Sequence, residues 1–136
     1  MDEAAVIQYI NDAFPDVDVV SGSAGYFFFR KPAGDAPSDH KFPFATVVNS
    51  DEYDQFSDLN RAGIYRLNIG LSRQAYRSLF RSELAPDTDF AALDKIMPHP
   101  VYAAMHWVCV LNPSAETFAE IKPLLAEAYE RAAKSA

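Results

Sequence analysis

The plainest structural signal in the chain is IYRLNIG at residues 64–70. Tyr65, Leu67 and Ile69 alternate with Arg66 and Asn68, the period of two that sends successive side chains to opposite faces of a strand. One face is apolar and the other polar. The residues therefore predict a half-buried strand over Ile64 to Ile69, in an antiparallel sheet whose core lies on one side. Gly70 closes it.

Outward from this strand the punctuation is regular. On the C-terminal side Ser72 can N-cap a helix carrying Ala75, Tyr76, Leu79 and Phe80, with Leu71 and Tyr76 placed as a hydrophobic staple. A short helix is expected at about 88–97, with Phe90, Leu93, Ile96 and Met97, stopping before Pro98. His106 to Leu111 reads as a strand. From Ser114 to Ala133, Phe118, Ile121, Leu125, Ala128 and Ala132 recur at gaps of three and four, the spacing of one buried helix face. Pro123 inside it is expected to kink or divide that helix.

On the N-terminal side, Phe44 to Val48, the aromatic run Tyr26 to Phe29, and Val17, Val19 and Val20 are strand candidates. SGSAG (21–25) suits a turn, and KPAGDAPSDHK (31–41) a loop. Val6, Ile7, Ile10 and Phe14 share a helical face that ends at Pro15. The order is helix, four strands, two helices, strand, helix. Strands in a run joined by short turns predict a single α+β domain spanning 1–136, an antiparallel sheet of about five strands backed by helices on one face. The length of 136 residues fits one domain.

Charge and cysteine narrow the function classes. The net charge is -7, from 19 acidic and 12 basic side chains. Eleven acidic and five basic residues precede residue 69, and eight and seven follow, so the balance is -6 then -1. An acidic field opposes a phosphate backbone, which argues against nucleic acid as a partner. No apolar run approaches the roughly 20 residues of a spanning helix, which argues against a membrane protein. A lone Cys109 forms no internal disulfide and no thiolate zinc site. With no basic-then-apolar start, the cytoplasm is the expected compartment.

The chemistry-bearing residues are few. His40, His99 and His106 do not pair at helical metal-ligand spacing, and no HExxH, P-loop, GxSxG or GxGxxG occurs. No metal or cofactor is therefore expected. His99 lies between Pro98 and Pro100, where a fixed ring could act as a general base beside an acid such as Asp51 or Asp54. A histidine bonded to backbone at a turn is the simpler reading. His106 is the other catalytic candidate. Asp51, Glu52, Asp54 and Asp58 crowd one stretch, but the EF-hand spacing is absent, so a solvated loop is favoured over a calcium site. Arg73, Arg77 and Arg81 recur every four residues. They form either a solvated helix face or a stripe for an anion or an acidic partner.

In the last strand Trp107, Cys109 and Leu111 share one face, and His106, Val108 and Val110 the other, so Cys109 is expected to be buried and inert. If helices cover one side of the sheet, the other must be wet, covered by a loop or buried on a partner. Arg66, Asn68 and His106 are the candidates to line it, with the aromatics of 26–29 beside them, as a surface for a small molecule or a second copy.

RLNIGLS (66–72), MPHPVYAAMHWVCVLNP (97–113), LLAEAYE (124–130), FPFATVV (42–48) and DEYDQFSDLNRAG (51–63) resemble a family of short bacterial proteins classed as a domain of unknown function. More distantly, LNIGLS, His106-Trp107 and Ala128-Tyr129 are similar to the MmcQ/YjbR-like family. That resemblance implies a YjbR-like fold related to the frataxin (CyaY-like) arrangement. It implies no catalytic residues, and DNA binding only by analogy of fold. The expected function is a non-catalytic binding or interaction domain for a small molecule or protein, with a homodimer as one form. The alternative is a small enzyme, or a small-molecule-modifying accessory protein, using a histidine and an acid.

Overall fold

The computed structural model describes residues 1–31, 42–80 and 88–135. Helix α1 (Glu3–Ala13) is capped by Asp2, whose carboxylate accepts from the Ala5 N–H, and it ends before Pro15. Strands β1 (Val17–Gly22), β2 (Gly25–Arg30), β3 (Ala45–Val48) and β4 (Arg66–Gly70) follow. Then come α2 (Arg73–Leu79), β5 (Met97–Pro98), β6 (Trp107–Leu111) and α3 (Ala115–Ser135). The sheet has six strands in the order β1-β2-β3-β4-β6-β5, every neighbouring pair antiparallel. The α+β architecture is as the strand-rich order predicts, with one more strand.

The extra strand replaces a helix. Residues 88–96 form turns and bends, and Met97–Pro98 pairs with Cys109 and Val108 of β6. The apolar spacing of Phe90, Leu93, Ile96 and Met97 mimics a helix, yet these side chains share no face. Ile96 packs on the helix-side core, Phe90 and Met97 on the opposite cluster, and Leu93 is exposed. Side-chain bonds bend the backbone away from a helix. The Asp89 carboxylate accepts from the Ala91 N–H, and Asp94, at φ 58°, accepts from the Ser114 N–H. Pro98 is tolerated because β5 is an edge strand.

Two further expectations are corrected. Pro123 does not divide α3, whose 21 residues include it, and it faces solvent. β6 begins at Trp107, because His106 takes the left-handed conformation at φ 70°.

Register sorts the side chains onto two faces. Leu67 stands between Val47 and Val110, and Ile69 between Ala45 and Val108. These four pairs bury against Val6 and Ile10 of α1 and Phe118, Ile121, Leu125 and Ala128 of α3. On the reverse face Arg66 stands between Val48 and Leu111, and Asn68 between Thr46 and Cys109. That face is covered too: Val48, Leu59, Met97, Cys109 and Leu111 make a second, smaller cluster with Ile64 and Phe90. Hence β4 is not half-buried. All five of its residues are buried. Close backbone approach demands glycine at Gly25, where a Cβ would lie 2.1 Å from the Val47 carbonyl oxygen. Among the described residues no helix is long and apolar enough to cross a membrane.

Candidate functional site

Arg66 emerges from the middle of the sheet beneath the loop 49–63. Its strand places it on the polar face, and the loop brings an acid over it. The guanidinium donates to Asp54 Oδ1 at 3.0 Å and Oδ2 at 2.6 Å, to Ser57 Oγ at 2.9 Å and, through Nε, to Asn68 Oδ1 at 2.9 Å. Asn68 Nδ2 in turn donates to Thr46 Oγ1 at 2.9 Å. The Arg66 and Asp54 side chains are 1% and 9% exposed, so this is a sealed, bidentate ion pair. Burial raises the Asp54 carboxyl pKa. The bonds and charge of Arg66, with the Phe56 N–H, outweigh it and hold the group below its ordinary value.

His99 closes the other side. Its Nδ1 accepts from the backbone N–H groups of Val101 and Tyr102, both at 3.0 Å. That lone pair is used, so the neutral ring carries its proton on Nε2. Nε2 lies 3.5 Å from Arg66 Nη2, donor facing donor, which is a contact rather than a hydrogen bond. Burial first, then the Arg66 charge, lowers the ring pKa to about 4 against the opposing pull of Asp54. His99 is thus neutral near pH 7, with one nitrogen engaged by the turn and the other already protonated. That leaves no lone pair for a general base.

The remaining candidates separate. Asp51 Oδ1 accepts from the Leu59 N–H, Glu52 accepts from Ser23 Oγ, and Asp58 meets Arg61 at 3.5 Å. The acidic stretch is therefore an ordered cover whose carboxylates diverge. Among the described residues no group of three or more histidine, cysteine or acidic side chains could hold a metal ion.

His106 does not join Arg66 and Asn68. It lies outside β6 in the left-handed conformation, and its side chain goes to Tyr76, which packs on the helix-side core. There its ring meets Tyr76 at 5.6 Å, and its carbonyl accepts from the Leu71 N–H. Of the aromatics at 26–29, Phe27 reaches this cover, edge-on to Tyr53 at 5.8 Å. Phe28 is buried on the helix side. Cys109 is buried, and burial pushes its thiol up to about 12, as an inert cysteine requires.

An open concavity among the described residues lies elsewhere. Arg73, Gln74, Arg77 and Ser78 on α2 line a groove of about 580 Å³. Ser72 caps the helix by accepting from the Ala75 N–H, and the Glu127 carboxylate accepts from the Ser72 N–H at 3.3 Å. Among the described residues neither Arg73 nor Arg77 has a carboxylate within ion-pair distance. Arg81 and His40 lie outside the described residues.

A model of the family of unknown function DUF6194 matches residues 1–136. The chain belongs to that family. No curated protein and no solved structure matches it.

In this DUF6194 chain, Ser57 and Thr46 complete the buried network without having been singled out by sequence. Thr46 could have been found, because pairing β3 with β4 sets it opposite Asn68. Ser57 had no signal, since its place depends on the path of the loop.

Proposed function

We propose that this chain is a non-catalytic binding domain, working in the cytoplasm, whose contacts are made on its surface and not on its polar sheet face. The engagement of His99 and Asp54 carries this reading. The histidine–acid pair that would serve an enzyme is sealed, with Nδ1 held by two backbone donors and the carboxylate held twice by Arg66. The open groove instead presents two arginines, a glutamine and a serine, groups suited to grip an anion rather than to move a proton.

A thermal-shift screen against metabolites and metal ions tests it. A ligand at a hundred times its Kd stabilises the fold by about 2.7 kcal/mol, a rise of several degrees in Tm. The expected hit is anionic, and its shift is lost in Arg73→Glu/Arg77→Glu. Turnover of any screened compound that disappears in folded His99→Asn or Asp54→Asn variants overturns the proposal.

A further inference from the structure

Residues 96–115 run for twenty positions without a single Asp, Glu, Lys or Arg, in a chain that is 23% charged. Much of this run is buried as β5 and β6, but its turn is not. Val101, Tyr102 and Met105 are 47%, 52% and 58% exposed. The turn holding them is fixed. His99 Nδ1 binds the N–H groups of Val101 and Tyr102, and the Tyr102 carbonyl accepts from the N–H groups of Met105 and Trp107. Apolar side chains on a backbone pinned by a buried ring are presented with little conformational entropy left to lose on binding.

This tip adjoins the basic helix. The His106 ring meets Tyr76, and the Leu71 N–H donates to the His106 carbonyl, so the turn ends where α2 begins. On the outer side of α2 stand Arg73 and Arg77. Tyrosine, methionine and arginine are the residue types that anchor protein interfaces.

We infer that the 100–106 turn and the outer face of α2 together form a docking surface for a partner protein segment carrying acidic side chains beside apolar anchors. The inference rests on the binding-domain reading and names its partner. Charge selects this occupant. A second copy using the same patch about a two-fold axis would bring four guanidinium groups and no carboxylate of that patch into one interface. Nucleic acid or an anionic membrane would meet the whole -7 field with only two guanidinium groups in its favour. An acidic segment needs only the local complement, and the two arginines lack an internal one among the described residues.

Fluorescence anisotropy with a short labelled peptide of alternating acidic and leucine or phenylalanine residues tests the surface. Two controls accompany it, one with serine replacing the apolar residues and one with lysine replacing the acids. The acidic apolar peptide is expected to bind saturably. Its Kd should rise by about ten-fold or more in Arg73→Glu/Arg77→Glu and in Tyr102→Ser/Met105→Ser. The charge-reversed chain should gain affinity for the lysine peptide. Should the double turn variant lose its melting transition, the milder Val101→Ser reports in its place.

Absence of saturable binding, or binding unchanged by these variants, overturns the inference. So does a doubled mass in light scattering that the same variants abolish, which would make the occupant a second copy. Arginine-dependent retention of duplex DNA or phosphatidylserine vesicles overturns it as well. A small-molecule response in the thermal screen without peptide binding removes this surface alone. No response in either assay removes the binding reading too.

Discussion

Arg66 is where the chain places its most demanding side chain. A guanidinium 1% exposed must be neutralised and hydrogen-bonded, and Asp54, Ser57 and Asn68 together balance its charge and accept four of its five N–H groups. Removing one member of such a pair costs far more than removing both. Arg66→Met, which strands a buried carboxylate, is expected to destabilise the fold by about 3–5 kcal/mol in urea titrations. Arg66→Met/Asp54→Leu should recover most of that loss. Two equal and additive single effects would show that the pair is not coupled.

His99 makes stability depend on pH. Its pKa is 6.5 in an ordinary setting and about 4 in the fold, so on acidification the unfolded chain takes the proton first. Stability is full above about pH 6.5 and falls between 6.5 and 4. The gap corresponds to about 3 kcal/mol. Asp54, also depressed, adds a further loss as pH falls below its ordinary value of 3.8. In His99→Asn the amide oxygen can still accept the two turn N–H groups, and the slope between pH 6.5 and 4 should flatten. Unfolding free energies at several pH values in that range check it.

Among the elements, α3 shows how tertiary packing overrides a local breaker. Pro123 supplies no N–H and crowds the preceding turn, yet Phe118, Ile121, Leu125 and Ala128 are buried on both sides of it. The apolar stripe holds the helix together across the defect. Because Pro123 is exposed, Pro123→Ala removes the defect without emptying any core space. It is expected to raise stability by up to about 3 kcal/mol, read as a higher urea midpoint. The segment 88–98 shows the converse. Its helical spacing is overruled because β6 has a free edge to pair and Asp89 and Asp94 tie the backbone into turns.

At the scale of the molecule, one sheet serves two unequal cores. The helix-side core joins every strand from β1 to β6 except the short β5, while the reverse cluster is small and roofed by loops. Leu125→Ala should cost about 2–5 kcal/mol and lower hydrogen-exchange protection throughout the sheet. Leu59→Ala, in the roof, should strip protection from 50–63 first and leave α1 and α3 close to their original rates. Equal loss of protection everywhere would mean that roof and core open as one unit.

The two-faced pattern of IYRLNIG, the cap at Ser72 and the stripe of α3 made the antiparallel sheet and its helical backing legible, because those signals depend on near neighbours alone. Arg66 and Asn68 were legible as the polar face for the same reason. What covers them was not: the meeting of Arg66 with Asp54, Ser57 and His99 joins residues up to 33 positions apart, through a loop with no periodicity. By itself the sequence determined which side chains the strands and helices turn inward and the sign of the charge. Only the tertiary structure decided that the polar face is closed and that Val101, Tyr102, Met105, Arg73 and Arg77 stay exposed. The reason is physical: backbone periodicity is local, whereas desolvation of a charge is settled by whichever distant segment comes to lie over it.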